Sequence, residues 1–213
     1  MIQTVIFDMD GVIVDTEPVH YYAYQQHFKQ LGIQVTDEMY ATFTGNSTKN
    51  VYQKLSNHFE IKTPLNDLIL TKRTLFNDAF DTKKDLFLLD GVELLIQQLN
   101  NEGKQLILAS SSAKTTIDRV FTRFDLHRYF THIVSGEDFP QSKPHPAIFE
   151  EAVRLSGNSK EECLVIEDST NGIRAAKAAG LFCVGYRSVN SKQQHYELAD
   201  LVIDHFNDLK IDF

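Results

Sequence analysis

The 213 residues carry 29 acidic side chains against 21 basic ones, a formal charge of -8. That length suffices for one large domain or a core with a modest insertion, and the acidic balance, with no long basic run, speaks against nucleic acid or an anionic membrane as the main partner. No apolar run approaches the roughly 18 residues of a membrane helix, and the start MIQTVIFD lacks a basic segment leading into an apolar stretch and cleavage site, so a soluble cytoplasmic protein is expected, as a monomer or weak homo-oligomer.

In chain order, the first expected strand is TVIF near residue 5, which runs straight into Asp8, Asp10, Gly11 and Asp15. Asp15 or Thr16 is expected to cap the following helix, with Pro18 in its first turn. From 17 to 85 the pattern is helical, with Val51, Leu55 and Phe59 on one face and Ile69, Phe76 and Phe80 on another, and no convincing strand. The chain returns to strand and helix alternation near DLFLLDGV. Helix spacing recurs at Val92, Leu95, Ile96 and Leu99 and at Ile117, Val120, Phe121 and Phe124, between the apolar runs QLILAS, HIVS, CLVIED, LFCVGY and ADLVID. Alternation of this kind predicts an α/β fold, a doubly wound, Rossmann-like parallel sheet, formed by 1–16 and 86–213 and interrupted by a helical cap over 17–85. Cys163 and Cys183 lie in apolar strand-like runs and are read as reduced core residues.

Open parallel sheets bind ligands at the carboxyl ends of their strands, and the expected strands end in chemically useful groups. The first ends at Asp8, the second at Ser110, and CLVIED at Glu167 and Asp168, while Lys143 follows the third in SKPHP. An EF-hand is excluded, because Gly11 stands at loop position 4 rather than 6. Each group suits phosphoryl transfer. A carboxylate approaches a phosphate dianion only when a cation shares the site. Mg²⁺ takes oxygen ligands, which Asp8, Asp168 and a backbone carbonyl would supply. Of Asp8 and Asp10, one attacks while the other handles the proton of the leaving oxygen. Ser110 and nearby amides opening a helix would hold phosphate oxygens, and Lys143 would offset charge.

In order along the chain, FDMDGVIVDT, LILASSS, SKPHP and VIEDSTNGIRAAKAAG resemble the four motifs of the haloacid dehalogenase superfamily, and the helical insertion resembles the cap of its β-phosphoglucomutase and sugar-phosphatase branch. The resemblance implies Asp8 as nucleophile and Mg²⁺ ligand, and Asp10 as general acid/base whose backbone carbonyl also binds the metal. Ser110, with the Ser111 amide, and Lys143 match the phosphate-binding serine and lysine, Asp168 a direct metal ligand, and Glu167 a direct or water-mediated one. Thr16 and His20, four apart on one helical face, match positions found in mutases of the branch. His20 either orients Asp10, contacts substrate, or is an ordinary surface histidine.

The cap loop FTGNSTKN departs from the mutases, which carry an arginine three residues after the loop glycine. Three after Gly45 stands Thr48, with Lys49 one step further as a point charge. Thr74 and Leu75 likewise replace the lysine and asparagine expected in mutases. The reading that follows is a Mg²⁺-dependent phosphatase of small phosphorylated metabolites, such as sugar phosphates. The alternative is a β-phosphoglucomutase-type mutase. A non-catalytic metabolite-binding regulator is the third reading, and it has no need for both Asp8 and Asp10.

Overall fold

The computed structural model describes residues 1–190 and 193–210. Six strands form one parallel sheet: β1 (Thr4–Phe7), β2 (Gln105–Ser110), β3 (Phe130–Ser135), β4 (Cys163–Glu167), β5 (Phe182–Tyr186) and β6 (Leu201–Ile203), in the order β3-β2-β1-β4-β5-β6. The four residues of β1 are all buried and pair on both sides, Phe7 opposite Leu108 of β2 and Ile166 of β4. Strands covered on both faces read as continuous apolar runs, which is why these segments stand out in the sequence. The edge strands differ. β3 exposes Thr131 and Ile133, and β6 is only three residues long.

Helices cover both faces. Helices α5 (Val92–Asn101) and α6 (Lys114–Arg123) pack on one side, burying Leu95, Ile96, Leu99, Val120 and Phe121 against Val5, Phe7 and Leu106. Helices α7 (Ala147–Ser156) and α8 (Thr170–Ala178) cover the other, where Phe149, Ala152, Ile173 and Ala176 meet Ile6, Ile107 and Val165. Both cysteines are buried and free, in β4 and β5.

Between β1 and α5 lie four helices: α1 (Glu17–Leu31), α2 (Asp37–Ala41), α3 (Thr48–Phe59) and α4 (Leu65–Thr82). They enclose their own aromatic core of Tyr24, Phe28, Phe43, Tyr52, Leu55 and Leu68. The bases of α1 and α4 instead join the sheet's core through Val19, Ala23, Phe76 and Phe80. The two chain passages joining this part to the sheet run side by side, with a Val14–Leu88 bridge and the Leu89 N–H donating to the Ile13 carbonyl at 2.9 Å. Arg123 of α6 clamps the end of α4 by donating to the Phe80 and Lys83 carbonyls. The short α2, capped by Thr36 accepting from the Met39 N–H, is too brief for periodicity to reveal.

Candidate active site

At the carboxyl edge of the sheet, β1 delivers Asp8, β2 the serine loop, and β4 Glu167 and Asp168. These and the four cap helices enclose a cavity of about 470 Å³. Lys143 is the buried cation at the sheet's edge. Its three N–H donors go to Asp8 Oδ1 at 2.5 Å, Glu167 Oε1 at 2.7 Å and the Ala109 carbonyl at 2.9 Å, which exhausts them. The other Glu167 oxygen accepts from the Ser169 amide and hydroxyl at 2.9 and 3.0 Å. Glu167 thus accepts three hydrogen bonds, from Lys143 and from the start of α8. Of the two acids that end the CLVIED run, Asp168 is the one set against the Asp10–Gly11 turn.

Gly11 has φ +85°, and a Cβ there would stand 2.1 Å from Asp168 Oδ2. Only glycine lets the loop carrying Asp10 close onto this carboxylate. Burial, opposed by Lys143 but aided by the charges of Glu167 and Asp10, pushes the Asp8 carboxyl up to about 7. Three acids, Asp8, Glu167 and Asp168, around Lys143 at the sheet's edge call for a further cation. Asp8, Asp168 and a backbone oxygen of the turn are hard oxygen donors that suit Mg²⁺.

Asp10 is held from three sides. Thr16 Oγ1 donates to Oδ1, Ser112 Oγ donates to Oδ2 at 2.7 Å, and His20 Nε2 stands 3.5 Å from Oδ1. Burial alone would raise this carboxyl. The donors His20, Thr16 and Ser112 outweigh it and hold Asp10 at about 2, so it is ionised at rest. Thr16 is the N-cap residue of α1 but makes no side-chain capping bond. Its hydroxyl is spent on Asp10, and it is fully buried beneath the cavity rather than facing a substrate. His20 is half-buried, stacked on Phe76 at 4.3 Å, with Lys72 Nζ 2.6 Å from its Nδ1.

Ser110, expected to hold phosphate oxygens, is fully buried, and its Oγ accepts from the Ser112 N–H at 3.1 Å. It shapes the loop, while Ser111 and Ser112 face the cavity. Gly45, Thr48 and Lys49 all line the cavity from the cap side. Gly45 sits against the Ser169 side chain, and Ser47 and Ser142 join their hydroxyls at 2.7 Å, so this loop rests directly on the sheet's rim. His145 accepts from the Ala147 N–H at 3.3 Å and stays outside the cavity lining. Asp15 accepts from Asn190 Nδ2, away from the other acids of the motif.

Three polar residues of the cavity that the sequence reading did not single out bear on its chemistry. Ser112 was hidden among identical neighbours. Lys72 stands on the buried face of α4 between Leu68 and Phe76, 2 % exposed, so a lysine does serve this helix although residue 74 is threonine. Its signal was a cation at the spacing 68, 72, 76, 80. Glu17, an acid in the first turn of α1, accepts from Tyr40 Oη at 2.9 Å.

A parallel α/β sheet that gathers these acids, one buried lysine and a serine loop at its carboxyl edge is that of a phosphoryl-transfer enzyme. The chain belongs to the haloacid dehalogenase-like hydrolase family, which it matches over residues 5–186. It is similar to the β-phosphoglucomutase of Bacillus subtilis, 30% identical over 215 residues that cover 99% of this chain and 92% of that protein. To a phosphorylated carbohydrates phosphatase of Thermotoga maritima it is 29% identical over 183 residues, 84% of this chain and 82% of the other. The crystal structure of CbbY from Rhodobacter sphaeroides in complex with phosphate superposes with a TM-score of 0.89 at 27% identity, over 98% of this chain and 96% of that one. The protein is accordingly a phosphohydrolase or phosphosugar mutase of this family.

Proposed function

We propose that the protein is a Mg²⁺-dependent phosphatase of small phosphorylated metabolites, sugar phosphates foremost, with residues 17–85 acting as a cap over a core of 1–16 and 86–213. The observation that carries the reading is the pairing of Asp8, bound to Lys143, with Asp10, which faces the same cavity from two residues on. Asp8 attacks the phosphorus atom and forms an aspartyl phosphate, dividing one hard step into two. Asp10, having taken up a proton, donates it to the leaving oxygen and then accepts one from the attacking water. Lys143 balances charge on the transferring group, and the Ser111 and Ser112 side of the cavity receives its oxygens. Mg²⁺, held by Asp8, Asp168 and a backbone carbonyl at Asp10, supplies charge neutralisation to the phosphoryl oxygens when bound.

The test is phosphate release across sugar phosphates, nucleotides and small acid phosphates, with Mg²⁺ and with a chelator. Release that depends on Mg²⁺ and vanishes in Asp8→Asn is expected. Release from no ester in the panel overturns the reading.

One observation favours the mutase instead: Lys72 stands against His20, on the helix where mutases of the branch carry a lysine. Against it, Thr48 lines the cavity three residues after the loop glycine, the position at which the mutases carry an arginine, and its single hydroxyl, hydrogen-bonded to Tyr24, is no fork for a second phosphate. Incubation with β-glucose 1-phosphate and a trace of bisphosphate activator separates the two. A phosphatase yields free phosphate, and a mutase yields glucose 6-phosphate.

A further inference from the structure

An acid in the first turn of a helix is ordinarily a solvated partner of the helix dipole. Glu17 is not placed that way. It is half-buried, lines the cavity that holds Asp8, and accepts a hydrogen bond from Tyr40 Oη at 2.9 Å. Tyr40 is itself fixed, its ring against Tyr21 at 4.9 Å and Phe43 at 5.4 Å. A carboxylate has about four acceptor positions, and among the described residues Tyr40 is the one side chain that hydrogen-bonds it. Burial pushes the Glu17 carboxyl up to about 7, a cost that a glutamine or an apolar residue would avoid.

Open acceptor positions, a fixed hydroxyl and a neighbouring aromatic wall of Tyr24 and Phe76 match a ligand with O–H donors on an otherwise apolar carbon frame. The local charge narrows the choice. Lys72, near enough to pull the Glu17 carboxyl down, opposes a cationic ligand group, and Glu17 opposes a second phosphate at this wall. We infer that Glu17 and Tyr40 form a hydroxyl-reading subsite, which selects a phosphorylated sugar or polyol whose hydroxyls reach the first turn of α1. The inference rests on the phosphatase reading and names the part of the substrate that is not transferred.

The test compares kcat/KM for the best substrate of a triose, pentose and hexose phosphate panel with that for p-nitrophenyl phosphate, which has no aliphatic hydroxyl, in the wild type, Glu17→Ala, Glu17→Gln and Tyr40→Phe. The ratio of sugar to aryl ester falls more than threefold in Glu17→Ala and Tyr40→Phe, with Glu17→Gln between them and the wild type. Far-ultraviolet dichroism and thermal melting identify any variant that fails to fold, in which case the remaining two decide. Ratios within threefold of the wild type in the folded variants overturn the inference. So does a wild-type preference for phosphoethanolamine that Glu17→Ala removes, since Glu17 would then be pairing a cation. A wild type that cleaves neither ester overturns the phosphatase reading itself, a result distinct from an unchanged ratio.

Discussion

The Lys72 ammonium stands 2.6 Å from His20 Nδ1, on the face of α4 that is buried against α1. While Lys72 carries its ammonium proton it donates, so Nδ1 accepts and the ring proton is on Nε2, the atom 3.5 Å from Asp10 Oδ1. The inserted helices thereby direct a donor at Asp10. Burial first, together with the charge of Arg73, holds Lys72 down at about 7 against the pull of Asp10 and Glu17, from an ordinary 10.5. Its folded pKa is depressed, so the unfolded chain binds more protons between pH 7 and 10.5 and the stability contributed by this group rises with pH across that window. Lys72→Met should therefore be stabilised relative to the wild type below pH 7, with the gain shrinking toward pH 10.5. Its kcat should fall about tenfold, the scale of one hydrogen bond to a charged group. Urea titrations at several pH values and phosphate-release kinetics check both.

Lys143 presents the opposite case. It is buried and paired with two carboxylates, whose charges outweigh its own desolvation and hold it above the ordinary lysine value. Lys143→Met leaves Asp8 and Glu167 buried without their counter-charge, so a loss of about 3–5 kcal/mol is expected by denaturant unfolding in metal-free protein. Activity should be abolished.

Glu17 titrates in the folded protein near 7 rather than at 4.5, chiefly through burial. Its folded pKa is raised, so the contribution is fully present below pH 4.5 and is lost as pH rises to 7. Glu17→Gln should flatten that part of the stability profile and exceed the wild type at pH 8 by on the order of 2 kcal/mol. Thermal melts from pH 4 to 8 read this directly.

Ser112→Ala and Thr16→Val each remove one donor from Asp10. Each should lower kcat by about tenfold and move to higher pH the limb of the kcat/KM profile on which Asp10 loses the proton it donates, because fewer donors then hold Asp10 ionised. A pH–rate profile of each variant measures the shift.

The four inner strands could be read from the sequence because strands buried on both faces leave continuous apolar runs, as in CLVIED and LFCVGY. The acids were legible for a related reason: a strand that ends in Asp8 or Asp168 breaks its apolar run abruptly. What escaped were groups whose burial contradicts their type. A lysine within α4 and a glutamate at the start of α1 read as solvated, and only packing against Tyr24, Phe76 and Tyr40 makes them part of the cavity. The apolar face of α4 was placed through Ile69, whereas the buried seam runs Leu68, Lys72, Phe76, Phe80. Side-chain direction was likewise out of reach in SSS, where the hydroxyl of Ser110 turns inward and that of Ser112 turns to Asp10.

The central claim is that Asp8 carries the phosphoryl group. The most direct measurement mixes the enzyme with Mg²⁺ and a sugar phosphate, quenches in acid within the first turnover, and maps the added mass by peptide sequencing. The account predicts one phosphoryl group on the peptide containing Asp8, absent in Asp8→Asn and transient in the wild type. Turnover with no label on Asp8 at any quench time, or with the label on another residue, would contradict it.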